Sequence, residues 1–149
     1  MATKRVKSLL FGAFLGVLLF AGLFFNIVVH ESGHYAAASD LNLKPQMHFF
    51  ADYKQPYKVS LFTPNFFTLY EPHSSAKQDA EIALAGPMTN ALIAACLIGV
   101  YIALPKNKKT FRLNLIFLVL IVPAVVSAFS NMLPLAGTDG SVIWNYLFG

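Results

Sequence analysis

The chain of 149 residues is about the length of one domain. Hydrophobic residue types make up 56% of it and charged types only 12%, which is too apolar for a disordered chain and too poorly charged for the surface of a soluble one. The net charge of +4 comes from cations beside apolar runs, which is typical of membrane flanks and argues against nucleic-acid binding.

The first apolar segment without a charged residue covers residues 8–29, directly after Lys4, Arg5 and Lys7. Because about 20 apolar residues cross the hydrocarbon core as a helix, this segment predicts a first membrane span. A cleaved signal peptide is the alternative interpretation. Its apolar region is usually only about 7–15 residues long, so the length favours a span that stays in the protein.

A long connection, residues 38–78, follows the first span. Aromatic side chains are concentrated between Phe49 and Tyr70, and residues 58–63 could form a short strand. We expect this segment to lie in the membrane interface or to dip into the bilayer, because a solvated loop should not carry so many aromatic side chains. An anchoring role and a substrate-facing role both remain open.

Two further apolar segments, residues 82–104 and 113–138, are each long enough to span a membrane. Their internal prolines are tolerated in membrane helices when neighbouring groups satisfy the freed carbonyls. The predicted fold class is therefore an all-α membrane protein with a three-transmembrane-helix core. We expect a single membrane-embedded unit over residues 1–149, with spans at about 8–34, 80–104 and 112–135.

The first span ends in the sequence H-E-S-G-H at residues 30–34. On a helix, positions i and i+4 share a face, so His30 and His34 can present two imidazole nitrogens to one metal ion. Glu31 can then act as general base on a water at that metal. The alternative is a pair of histidines at headgroup level with a solvated glutamate. Ionisable residues that continue an uncharged membrane helix favour a functional site.

Two histidines leave a catalytic zinc one protein ligand short. Asp139 follows the long third apolar segment. If the first and third spans both cross the membrane, their C-terminal ends lie on the same side, where Asp139 can meet both histidines. Asp79 and Glu81 precede the second span on that side and remain the main competitors for the third position.

These residues resemble the site-2 protease family of intramembrane zinc metalloproteases. The first motif is the H-E-S-G-H that ends the first span. The family's second motif, N-x-x-P-x-x-x-x-D-G, is filled at every fixed position by N-M-L-P-L-A-G-T-D-G at residues 131–140. Residues 86–90, G-P-M-T-N, also resemble the family's G-P-x-x-N on its middle core helix.

The resemblance implies a zinc metalloendopeptidase that hydrolyses peptide bonds in or near transmembrane segments of membrane proteins. It implies that His30, His34 and Asp139 bind one Zn²⁺ and that Glu31 activates the attacking water. The implied partners are a transmembrane protein substrate and the lipid bilayer, with no nucleic acid. Whether a homo-oligomer or a regulatory membrane partner completes so small a core stays open.

The resemblance also places Asn90 and Asn131 beside the site, where they would orient the substrate backbone or stabilise the oxyanion. Residues 45–70 look like the family's membrane-associated β-type segment. In the family that segment is thought to receive the unwound substrate as an added strand, a mode that uses main-chain hydrogen bonds.

Two other classes of function compete with a protease. A membrane metal-binding or transport protein could use the same ligands without hydrolysis, but it would not need Glu31 between two ligand histidines. A structural membrane protein would not need ionisable groups that converge from two helix ends.

The orientation in the membrane follows from the distribution of cations. Lysines and arginines collect on the cytoplasmic side, and they are concentrated before the first span and between the second and third. This predicts an integral, multi-pass protein with a cytoplasmic N-terminus and the metal site toward the outer face. Many members of the family instead have the site nearer the cytosol, so the charge distribution and the resemblance disagree here.

Overall fold

The computed structural model describes residues 2–50, 65–71, 75–105, 107 and 110–149. Within them the chain forms three long helices, a short terminal helix and one pair of strands. In chain order these are α1 (Ala2–Asp40), β1 (Gln46–Phe49), β2 (Phe66–Leu69), α2 (Ala76–Ala103), α3 (Phe111–Met132) and α4 (Asp139–Phe148).

Helices α1, α2 and α3 are each long and apolar enough to cross a membrane. Their large apolar side chains point outward: Leu9, Phe20 and Phe129 are each more than 70% exposed. This confirms the predicted all-α fold with three candidate spans and a small sheet between the first two. The expectation of one unit over the whole chain stays a prediction.

The helix ends follow local chemistry. Ser75 caps α2 through a capping box in which its hydroxyl accepts from Gln78 N and the Gln78 side chain accepts from Ser75 N. Helix α3 ends at Met132 because Pro134 disfavours a helical conformation at Leu133, whose ψ of 145° is extended. Helix α1 continues beyond His34 to Asp40, so the H-E-S-G-H motif lies inside a helix and not at its end.

The strands β1 and β2 pair antiparallel, with His48 opposite Phe67 and Gln46 opposite Leu69. The sheet packs against α1 through Phe66, whose ring centroid lies 5.6 Å from that of Phe24. It thus forms part of the predicted membrane-associated connection. The short strand expected at residues 58–63 falls outside the described part of the chain.

Helices α1 and α2 pack closely at a glycine. A Cβ at Gly33 would lie 2.6 Å from Ala85 O and 2.8 Å from Thr89 Oγ1, so only glycine permits this crossing. Small residues allow such close approach in membrane helices. The crossing brings the second half of α1 against the first half of α2, near the buried side chains of His30, His34 and Asn90.

Helix α4 is an element that the sequence analysis did not predict. It begins directly at Asp139, after Thr138 in an extended N-cap conformation. The sequence T-D-G carries a usable signal, since threonine is a common N-cap and aspartate favours the first helical turn. The Thr138 hydroxyl itself makes no cap bond to α4 and lies against the main-chain oxygens of Leu133 and Leu135. The helix packs against α2 and so fixes the side of the bundle on which Asp139 lies.

Candidate metal centre

Three side chains from two distant parts of the chain converge at the enclosed end of the bundle. His30 Nε2 lies 3.1 Å from His34 Nε2 and 2.9 Å from Asp139 Oδ2, and His34 Nε2 lies 3.4 Å from Asp139 Oδ1. Ligands at zinc-bond lengths in a tetrahedral site stand about 3.3 Å apart. These separations therefore suit one zinc ion, although the role of the three residues as ligands stays a prediction.

The hydrogen bonding of His34 leaves its second ring nitrogen facing the other two side chains. Its Nδ1 lies 2.7 Å from the Ile82 carbonyl oxygen, which can only accept, so Nδ1 carries the proton. The Nε2 atom then faces His30 and Asp139. Lone pairs that close repel one another unless a proton or a metal ion lies between them, so the donor set is chemically suited to a cation.

His30 is supported from the opposite side by Asn90. The Asn90 side chain is fully buried, and its Nδ2 lies 3.4 Å from His30 Nδ1 and 2.7 Å from Ser127 Oγ. Asn90 thus contacts the back of a candidate ligand and does not line the cavity described below. Asn90 therefore contacts the ring nitrogen of His30 that does not face Asp139.

Asp139 is brought to the histidines by the turn between α3 and α4. Gly140 is required in this turn, because a Cβ there would collide with Leu133 O. Burial opposes the charge of the carboxyl, but hydrogen bonding to His30 and then to His34 outweighs it and lowers the pKa of Asp139 to about 2. The side chain is therefore a carboxylate at neutral pH.

The glycine of the G-P-M-T-N segment has a packing role that the sequence did not reveal. A Cβ at Gly86 would collide with His34 Nε2 and would lie 2.8 Å from His30 Cε1. The two imidazoles therefore occupy the space that any other residue at position 86 would fill.

A cavity of about 440 Å³ opens beside the three side chains. Glu31 lines it and is only 8% exposed, and its Oε2 accepts a hydrogen bond from Thr68 Oγ1 at 2.9 Å. Asn131 also lines the cavity, and its Nδ2 donates to Ser127 O at 3.0 Å. The cavity thus has space for a reacting group beside the predicted general base.

Neither competing carboxylate joins the three converging side chains, although Asp79 lines the same cavity. Asp79 Oδ1 accepts from Tyr70 Oη at 3.1 Å, and burial together with Asp79 raises the pKa of Tyr70 to about 12. Glu81 lies 3.5 Å from Lys77 Nζ at the surface. Within the described residues, the metal-ligating group that includes the two histidines contains Asp139 and neither competitor.

Thr68 and Tyr70 are cavity residues that the sequence analysis did not single out. Both belong to F-F-T-L-Y, part of the aromatic segment that the sequence predicts to be membrane-associated. A hydroxyl residue in such a segment is a usable signal, because a polar group enclosed among apolar ones needs a partner.

The model of Peptidase family M50 matches residues 18–116. The matched range includes H-E-S-G-H and G-P-M-T-N but stops before Asp139, which is linked to the histidines by the structure. Comparison with curated proteins gave no match, and comparison with solved structures gave none.

Proposed function

Since the chain belongs to peptidase family M50, we propose that it is an intramembrane zinc metalloendopeptidase that cleaves transmembrane segments of membrane proteins. The observation that supports this most strongly is the meeting of His30, His34 and Asp139 beside a cavity that Glu31 also lines. Two nitrogens and one carboxylate leave the further position that a catalytic zinc needs.

The roles divide between holding the metal and moving a proton. His30, His34 and Asp139 would hold the zinc, which when bound polarises the scissile carbonyl and acidifies the attacking water. Glu31 accepts the proton of that water as it attacks the carbonyl carbon. Glu31 then delivers the proton to the leaving amine, so that one carboxylate serves first as base and then as acid.

The substrate must reach the cavity as an extended chain. An intact helix keeps its carbonyls in i to i−4 hydrogen bonds, so a transmembrane substrate has to unwind at the cleaved bond. Strand β2 lines the cavity, and an extended segment beside it would gain main-chain hydrogen bonds. Asn131 on the wall would orient the segment. Substrates with Gly, Pro or Asn in the span unwind most easily.

The direct test uses the full chain reconstituted into liposomes with a synthetic transmembrane peptide. We expect one zinc per chain, cleavage within the apolar segment of the peptide by mass spectrometry, and loss of cleavage after chelation with recovery on adding zinc. Zinc binding without any cleavage would contradict the proposal and would favour the metal-binding or transport alternative.

We also propose that the N-terminus is cytoplasmic, because of the cations before α1 and between α2 and α3. Cysteine labelling at position 108 tests the orientation. Cys96 is itself exposed, so the variant is Lys108→Cys in a Cys96→Ser background. Labelling from the cytoplasmic side alone supports the proposal, and labelling from the outside alone refutes it.

A further inference from the structure

The side chain of Thr68 contacts Glu31 at two points. Thr68 Oγ1 lies 2.9 Å from Glu31 Oε2 and 3.1 Å from the main-chain oxygen of the same residue. The two residues are far apart in sequence and belong to different elements, β2 and α1. Thr68 is half-buried and lines the cavity with Glu31, so the contact lies at the reaction site.

A threonine hydroxyl has a single proton to donate. With two glutamate oxygens in reach, it bonds either the carboxylate or the main-chain carbonyl, and a carbonyl in a helix keeps a second lone pair for such a donor. Rotation of the hydroxyl redirects its hydrogen bond from one acceptor to the other without displacing β2. The carboxylate can thus be held or released while the hydroxyl stays satisfied.

From this geometry we infer that Thr68 is a positioning residue for the general base, an inference that rests on the proposed protease function. Before reaction, Thr68 fixes the Glu31 carboxylate toward the cavity by donating to Oε2. When the carboxylate takes the proton of the attacking water, the hydroxyl turns to the Glu31 carbonyl. Thr68 thus orients the base before the reaction and no longer donates to the carboxylate once that carboxylate carries the proton.

The placement of Thr68 also links the base to the substrate. The strand that carries Thr68 is the one that lines the cavity, through Phe66, Phe67 and Thr68 in succession. A substrate segment seated along β2 therefore lies against the element that orients Glu31. Correct seating of the substrate and correct orientation of the base depend on the same strand.

A purely structural tether between the sheet and α1 would behave differently. The sheet is also held to α1 by the contact of Phe66 with Phe24, so loss of one hydroxyl leaves that packing in place. A positioning role predicts a loss in kcat with KM and zinc content unchanged, because the missing interaction acts on the chemical step.

The experiment compares Thr68→Val with Thr68→Ser in the reconstituted full chain. Valine keeps the shape and removes the hydroxyl, whereas serine keeps the hydroxyl and removes the methyl group. We expect Thr68→Val to lower kcat by about 10–100-fold, the range typical of outer-shell residues at a metal site. Thr68→Ser should retain most of the wild-type kcat. Thr110→Val, which removes a hydroxyl at the N-cap of α3, should leave kcat unchanged.

Several outcomes would overturn the inference. Full kcat in Thr68→Val would show that Glu31 needs no orienting hydroxyl, and an equal defect in Thr68→Ser would show that the methyl group matters instead. If Thr68→Val loses zinc or shows no cooperative thermal unfolding, the inference rests on Thr68→Ser. Wild-type kcat in Thr68→Ser then supports the inference, and a loss of kcat overturns it. Cleavage by the wild-type protein separates these results from failure of the protease proposal, which would show as no cleavage by any variant.

Discussion

The two halves of helix α1 have the same secondary structure and opposite surroundings. In the first half the large apolar residues are exposed, with Leu9 at 74% and Phe20 at 75%. In the second half the ionisable residues of the H-E-S-G-H motif are enclosed, since His30, Glu31 and His34 are each only 8% exposed. Burial along this helix therefore runs opposite to the pattern of a soluble protein.

The contrast follows because the solvent around a membrane helix is lipid and not water. Lipid is as apolar as leucine, so an outward-facing apolar side chain in a bilayer loses nothing by exposure. An ionisable group in the same position is costly and has to be enclosed with partners. In such a protein the enclosed polar end marks the functional part, and the exposed apolar end serves mainly to span.

The largest effect should come from Glu31→Gln. An amide cannot accept the proton of the attacking water, so we expect cleavage to fall by about 10²–10⁴-fold, the usual contribution of a general base. Zinc content should remain full, because Glu31 lies outside the ligand group. Phe20→Leu, in the exposed half of the same helix, should retain both activity and zinc. Equal activity in Glu31→Gln and wild type would break the comparison and argue against a protease.

Asp139→Asn should cause the next largest effect, a loss of zinc affinity. A neutral amide is a poor replacement for a carboxylate ligand, so the loss should exceed the about 10–100-fold typical of outer-shell changes. Isothermal titration with Zn²⁺ measures it. Asp79→Asn and Glu81→Gln serve as controls and should bind zinc normally. Normal binding by Asp139→Asn, with loss in either control, would identify a different third ligand.

A pair of glycines on α2 sharpens the same comparison. Gly86→Ala places a methyl group where the imidazoles of His30 and His34 now lie, so we expect zinc affinity to fall by about 10–100-fold. Gly99→Ala is the matched control in the exposed half of α2, where a Cβ meets nothing within 4 Å. It should leave zinc binding intact and slightly favour the helix. Indistinguishable zinc affinities in the two variants would show that the histidines do not need the space at Gly86.

The smallest effects should separate the two asparagines. Asn90 contacts His30 and is fully buried, whereas Asn131 lies on the cavity wall. We therefore expect Asn90→Ala to weaken zinc binding by about tenfold. Asn131→Ala should keep its zinc and raise KM for the transmembrane peptide. The reverse assignment of the two defects would place Asn90, and not Asn131, against the substrate.

Much of the fold was predictable because it depends on local properties. An apolar segment of sufficient length specifies a span wherever it occurs, and the structure confirms three candidate spans. The spacing of His30 and His34 is also local, since one helical turn places them together. Helix α4 was not predicted, because Asp139 directly follows the third apolar segment and so looks like the end of a span.

The sequence by itself determined the membrane class, the paired histidines and the glutamate between them, and it left Asp79 and Glu81 open as alternatives to Asp139. Only the tertiary structure decided that Asp139 lies beside the histidines, that Gly86 provides their space and that Thr68 contacts Glu31. Each of these contacts joins residues on different elements. Such contacts depend on how the helices cross and where the sheet packs, and no periodicity within a single segment encodes either.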